Sequence, residues 1–527
     1  MIDNSPDEED RSLRGPFGSA DGAIDGEQGF ITFQDHGSWG DLEFSSKSVR
    51  ERIFVGRRGS GKSRYLREYE RIARQRMLVF PQQTDTIKLQ PLRMLHKAVA
   101  EPALREELWI DLWHAATCIA LGTFLLSRPD GEVPLPYPSR AELEDIVMRQ
   151  IGSISAPISV VAALNQILTS TDVSYSKLRG KLSSNDWNVI ENIVLRASSA
   201  MRPIALFIDT LDENLEYAPA ESIDAQCALL IYITRKLIDP NVSNRVHICV
   251  TVRDIVVSKL RDHQHFERYY SDLHWKRLDW TKSAARYFFR TKISMLPSNL
   301  MKGPPNASSL FERWLGVSSV PNTARGVDED VEEFILRHTR YLPREIVEIG
   351  NAICSEIRAS AGNLVKENVW SAVIRIAEEH GRRAIEVVID HILALSAEDF
   401  VSIEVRAGYR TRVRDALTAA LRTARNEIFQ EPQRLAIDNT FRQSILEPNS
   451  TVCLSDILWV HGLVGYLHLD ETRPPHRSIT IFNTTGSEGP VAGMRLPHAA
   501  SYRLHATLLS IAKVEIEKSA PYIGTNE

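Results

Sequence analysis

At 527 residues the chain exceeds one ordinary hydrophobic core, so two to four domains are expected. Its 43% hydrophobic and 25% charged content is that of an ordinary water-soluble globular protein, and a net charge of −5, from 63 basic and 68 acidic residues, excludes a whole-molecule basic footprint for nucleic acid. Five scattered cysteines (Cys118, Cys227, Cys249, Cys354, Cys453) form no Cys-x-x-Cys and no zinc-spaced cluster, so reduced, mostly buried thiols and a cytoplasmic location are expected.

Residues 1–35, rich in Asp, Glu, Gly and Ser and lacking a signal-peptide layout, read as a disordered acidic tail. The apolar run Ile53-Phe-Val55 then meets Gly56-Arg57-Arg58-Gly59-Ser60-Gly61-Lys62-Ser63, followed by a predicted helix from Arg64 to Arg76. This strand, glycine-rich loop and helix fit the phosphate-binding pattern G-x-x-x-x-G-K-[ST]. Glycines let backbone N–H groups close round phosphates, and the helix N-terminus adds donors and a positive dipole end. Lys62 then serves the β- and γ-phosphates and Ser63 a Mg²⁺ ion.

Met77–Phe80 reads as a second strand stopped by Pro81. Apolar residues spaced by three and four predict helices over 101–127, 141–149 and 183–196, with a Pro-rich break at 128–138. No uninterrupted apolar stretch reaches membrane-spanning length; the nearest, 115–126, reads as a buried helix, and no membrane partner is expected. The 147 positions from Lys62 to Asp209 exceed what one helix and one strand need, so a helical insertion at about 90–195 is expected, a candidate partner-binding element.

The run Pro203-Ile-Ala-Leu-Phe-Ile208 ends in Asp209, as a buried parallel strand delivering a carboxylate to its C-terminal end does. Asp209 is the candidate Mg²⁺ ligand. Glu213 is the candidate for orienting or deprotonating water, with Asp212 able to share the task; both acids can instead cap a helix start. The next strand, Val246–Val252, carries Thr251 toward phosphate or water, and Arg253 follows as a phosphate or Glu213 contact or else as a surface partner of Asp254. A short strand is predicted within 272–280, Thr281 caps a helix over 282–293, and 296–306 and 318–326 read as loops. In Leu342-Pro343-Arg344-Glu345, Pro343 opens a helix and Arg344 is either a lid arginine or an exposed first-turn residue. Helices are predicted over 373–392 and 413–429. An apolar helix over 454–467, a strand at 478–482, a glycine-rich tip at 484–493 and a closing helix past His498 describe a winged-helix-like module. Arg473, His476, Arg477, Arg495 and Arg503 could form a basic patch for nucleic acid or a solvated face; His461, His498 and His505 read as surface or packing residues.

Together, the loop Val55–Ser63, the Asp209-Thr-Leu-Asp-Glu213 strand end, Thr251-Val-Arg253, Leu342-Pro-Arg-Glu345 and the C-terminal module resemble STAND/AAA+-type P-loop ATPases, bacterial ones with a GRRGSGK-like loop first, and more loosely the NACHT and Orc/Cdc6-like groups. The resemblance implies an α/β fold: a P-loop NTPase core with a parallel sheet at 36–295, a helical lid and helical domain at 296–430, and a winged-helix-like domain at 431–527. It implies ATP held by Gly56 to Ser63 with Arg64 adjoining, Mg²⁺ on Ser63 and Asp209, γ-phosphate sensing by Thr251 or Arg253, a lid sensor at Arg344, and a segment 39–52 near adenine. Thr210 stands where NACHT proteins carry a small residue, which argues against that subgroup. The expected activity is an ATP-hydrolysing switch that forms a homo-oligomer or gates a separate effector protein, with bacterial phage defence as the fold-level analogy. A DNA-binding loader or motor and a small-molecule kinase are the rivals.

Overall fold

The structure, a computed structural model, describes residues 15–19, 52–80, 85–129, 132–152, 156–170, 174–209, 211, 213–261, 274–322, 327–360, 364–395, 403–445, 453–470, 477–483 and 495–513. The chain divides into two compact units, one holding Leu42–Gly56 with Lys62–Leu278 and the other Met1–Asp41, Arg57–Gly61 and Asp279–Glu527.

The first unit is built on a five-stranded sheet of β1 (Ile53–Val55), β2 (Leu78–Val79), β3 (Ile204–Ile208), β4 (Val246–Val252) and β5 (Trp275–Arg277), in the order β2-β3-β4-β1-β5. Every pairing is parallel. All residues of β1 to β4 are buried, which is why these segments read as continuous apolar runs rather than alternating ones. Strand order reverses around β1: the chain leaves it for the far edge at β2 and later crosses to β5 on its other side. In open α/β sheets the crevice beyond the strand ends at such a reversal is where ligands bind.

Helix α1 (Lys62–Ala73) lays Tyr65, Leu66, Tyr69 and Ala73 on the sheet, with the Phe54 ring 4.9 Å from Tyr65 and 5.3 Å from Tyr69. A fully buried side chain such as Leu66 stabilises by about 1.5–3 kcal/mol, so this face fixes where the helix begins. Among the described residues, six helices lie between β2 and β3: α2 (Leu89–Ala98), α3 (Pro102–Leu126), α4 (Tyr137–Ile151), α5 (Val160–Ser170), α6 (Tyr175–Leu182) and α7 (Asp186–Ser199). Among the described residues one helix, α3, has the length and composition to cross a membrane, but 89% of its most apolar window is buried in protein, in keeping with the buried helix expected at 115–126. Trp113 on α3 donates from Nε1 to Ala225 O at 2.8 Å, bonding it to α8 (Pro219–Ile238). After β4 comes α9 (Asp254–Arg261). All five cysteines are free.

The second unit starts with α10 (Lys282–Ser294), whose predicted cap is present: Thr281 Oγ1 accepts the Ala284 N–H at 3.1 Å. It continues with α11 (Leu310–Leu315), then a hairpin of β6 (Ser319–Asn322) and β7 (Val327–Asp330) where sequence predicts a loop, then α12 (Val331–Arg337), α13 (Pro343–Ala359), α14 (Lys366–Leu395) and α15 (Ile403–Arg422). The C-terminal segment departs further from expectation. Ile428–Gln430 is a strand, β8, and not a helix end; α16 (Glu431–Ile445) follows. The run 454–467 is α17 (Leu454–Val460) and then strand β9 (Val464–Asp470), divided at Gly462, which takes φ +66°. After β10 (Arg477–Phe482), the segment past His498 enters as strand β11 (Ser501–Leu504) before the short α18 (Leu509–Ala512). These strands form an antiparallel sheet, β10-β9-β11-β8, over a core that includes Val413, Leu417, Phe441, Leu458 and Tyr502. The expected tail is not wholly a tail: Phe17 is 1% exposed against this unit. The predicted tip 484–493 and the segment 39–51 lie outside the described residues.

Candidate functional site

In the sheet unit, register decides what the strand ends present. Ile208 pairs with Val250, which sets Asp209 level with Thr251, and Val55 pairs with Val252, which sets Gly56 beside Arg253. The Gly56 N–H donates to Val252 O at 3.2 Å, so the loop leaves β1 while still bonded to β4. Lys62, the first residue of α1, is half-buried and folds its Nζ back on Gly56 O at 2.9 Å. Ser63 is half-buried beside it, and Arg64 is buried. Thr251 Oγ1 donates to Asp209 Oδ1, and Asp209, Thr251 and Arg253 are all buried. Ser63 and Asp209 offer a hydroxyl and a carboxylate, the oxygen donors a Mg²⁺ ion takes in part before filling its remaining positions with water and phosphate. Among the described residues no three His, Cys, Asp or Glu side chains converge into a protein-only metal nest.

Loop residues Arg57 to Gly61 belong to the other unit. Gly59 and Gly61 sit at φ +86° and +92°, conformations that side chains with a Cβ rarely adopt, which accounts for glycine at both positions. Ser60 O accepts from Trp280 Nε1 at 2.9 Å, while the Ser60 hydroxyl, 1% exposed, has no hydrogen-bond partner among the described residues. A buried orphan hydroxyl is a donor in search of an acceptor, and it suits a loop that receives an anion. Arg57 reaches into the C-terminal segment: it donates to Val460 O at 2.6 Å and to Asn483 O. A Cβ on Gly462 would stand 2.5 Å from Arg57 Nη1, the movable end of that side chain, so glycine in the turn after α17 is required chiefly by its φ of +66°. Arg58 is exposed.

Arg344 is half-buried at the second position of α13, its N–H 3.4 Å from Gly59 O, and its stem passes 3.1 Å from where a Gly59 Cβ would lie. The turn that presents it is strained and tied down. Tyr341 holds φ +60°, uncommon for a bulky residue, with its N–H on Thr339 Oγ1 at 3.2 Å. Arg340 bonds Glu345 through Nε at 2.9 Å and through its backbone N–H at 2.6 Å. Burial pushes the Glu345 carboxyl up, but the Arg340 guanidinium and its hydrogen bonds outweigh this and hold it at about 2. His505, from the end of β11, meets Thr339 O at 3.1 Å; burial, opposed by Glu345 and aided by Arg340, lowers its pKa to about 4.

Asp212 and Thr210 lie outside the described residues, as does the side chain of Glu213, whose backbone opens a 3₁₀ turn, Glu213–Glu216. Arg503 leaves the expected basic patch: it is buried, donates to Thr480 Oγ1 at 2.7 Å and stands 3.5 Å from Glu427. His461 is buried against His391, ring nitrogens 3.0 Å apart, and His498 is exposed. Sequence reasoning missed Gly462 and Trp280 as supports of the loop; a Gly between two apolar runs was the available signal for the first.

No protein-family model matches the sequence. No curated protein matches it either. Among solved structures it is similar to the Aeropyrum pernix ORC2 protein, determined in ADPNP–ADP complexes, at 10% identity over 90% of each chain with a TM-score of 0.35. A likeness that slight decides neither family nor function.

Proposed function

We propose that this chain is an ATP-binding and hydrolysing switch of the STAND/AAA+ kind. The reading rests chiefly on the strand–loop–helix at β1 and α1, which stands at the strand-order reversal with Lys62 folded back on Gly56, Thr251 one strand away and its partner Asp209 two. Lys62 and the loop amides bind phosphate charge; Asp209 and Ser63 hold Mg²⁺, which when bound neutralises that charge. Thr251 fixes the Asp209 carboxylate, Glu213 orients water, and Arg253 and Arg344 respond to the γ-phosphate. The switch half of the reading draws on Arg57: a residue inside the phosphate loop gripped by carbonyls of the C-terminal segment gives loop movement a way to reach that segment. We read segment 428–513 as a winged-helix-like reporter acting on a second copy or a separate effector. The burial of Arg503 takes a member from the surface a DNA-reading module would need.

Calorimetric titration with ATP and Mg²⁺ and a turnover assay test this. Lys62→Ala is expected to weaken binding more than about 100-fold, near 3 kcal/mol, with the fold retained, since Lys62 is only half-buried. Glu213→Gln should keep binding and lose hydrolysis by about 10²-fold or more. Undiminished binding in the first variant sinks the site assignment; normal turnover in the second sinks the role of Glu213.

A further inference from the structure

The reading above makes no use of the place where Phe17 is held. Gly15-Pro16-Phe17-Gly18 closes a turn, its Gly18 N–H donating to Gly15 O at 3.1 Å with Gly15 at φ +74°. The Phe17 ring, 1% exposed, lies with its centroid 5.4 Å from Trp314 and 6.0 Å from Phe289. Asn351 takes both main-chain groups of the turn: Oδ1 accepts the Phe17 N–H at 2.9 Å and Nδ2 donates to Gly18 O at 3.0 Å. The floor is Gly350, within α13, where a Cβ would stand 2.5 Å from the ring. Glycine weakens a helix interior, and the three atoms nearest to where a Gly350 Cβ would stand all belong to the Phe17 ring. A ring-sized hollow floored by a missing side chain, with an amide satisfying the main chain of the turn, has the parts of a peptide-recognition site, in which main-chain bonds give affinity and the pocket gives specificity.

We propose that this socket recognises a glycine-flanked aromatic turn, filled here by the chain's own Gly15–Gly18, and that the same turn of a second copy exchanges into it. The sequence allows the reach: residues 20–51 separate the turn from β1, and 32 residues extend to roughly 105–115 Å at most. Exchange of an identical element between copies needs no new contact, only release of one turn and capture of another.

A fluorescein-labelled peptide covering Ser12 to Ala20, titrated into full-length protein, tests the socket. The Phe17→Ala chain should bind it saturably, and the wild-type chain at least about tenfold more weakly, because the tethered turn competes at an effective concentration on the order of mM. A peptide carrying Phe17→Ala should bind neither, and adding Gly350→Leu to the Phe17→Ala chain should abolish uptake. Should the Phe17→Ala chain not fold, Phe17→Leu serves as host, with uptake between the two. Equal uptake by wild type and variant, uptake of the Ala peptide, or uptake that survives Gly350→Leu overturns the socket. Exchange is tested by incubating two differently tagged wild-type chains: mixed species that Phe17→Ala abolishes support it, and their absence, or their persistence in the variant, overturns it.

Discussion

The two units hold their candidate residues by different means. Asp209, Thr251 and Arg253 ride on strand ends whose register is locked by buried neighbours on both sides, so none can shift without unzipping the sheet. The loop tip is held in the other unit by contacts that include Arg57 on two carbonyls, Trp280 on Ser60 O, and the Arg344 N–H near Gly59 O. A neutral bond of that kind contributes about 1 kcal/mol and a charged one about 1.5–3, so each can break without loss of fold. On the switch reading proposed above, the residues fixed by the sheet would serve chemistry and the more detachable loop contacts would serve communication.

That contrast can be broken at three points. The largest effect concerns acid. His505 titrates near 4 in the folded protein against an ordinary 6.5, because burial disfavours the imidazolium. On acidification the unfolded chain takes the proton first, so stability is full above about pH 6.5 and falls toward pH 4, by up to about 3 kcal/mol. His247 in the sheet unit, lowered to about 3 by burial and by Arg52, acts with the same sign. Urea melts from pH 7 to 4 should show a shallower acid limb in His505→Gln; an unchanged limb would place the acid sensitivity elsewhere. Next in size, Gly462→Ala should cost about 2 kcal/mol, from its φ of +66° and the collision with Arg57. Combining it with Arg57→Ala should return about 1 kcal/mol in a double-mutant cycle, whereas strict additivity would mean the two residues do not press on each other. The smallest effect is expected from Thr251→Val, which takes a donor from Asp209 while keeping the shape; about 1 kcal/mol should be lost in urea melts. A larger loss would show that the strand end depends on that one bond more than on its register.

The sheet was readable because a strand buried on both faces is an unbroken apolar run, and Val246–Val252 is predicted to the residue. The same property misled at 454–467, where an apolar run fits a helix and a strand equally until Gly462 divides it, and at Ile428–Gln430, where the strand is too short to show a period. Arg57 could not be assigned from its neighbours in sequence, since its partners lie 403 and 426 positions away. Phe17 was hidden for the opposite reason: an aromatic residue in an acidic, glycine-rich stretch cannot form a core, but it can fill one already made.

The strand order carries a consequence for the birth of the protein. β1 is synthesised well ahead of its partner in β4, which lies about 200 residues later, as the pairing of Ile53 with Val250 requires, and β5 comes later still. At about 5–20 residues per second, the glycine-rich loop after β1 spends on the order of 10–40 s attached to a strand with no sheet beside it. Helices α2 to α7 are synthesised inside that interval and are rich in local contacts that form fast. A nascent chain therefore holds the helical body of α2 to α7 before its parallel sheet closes round β1.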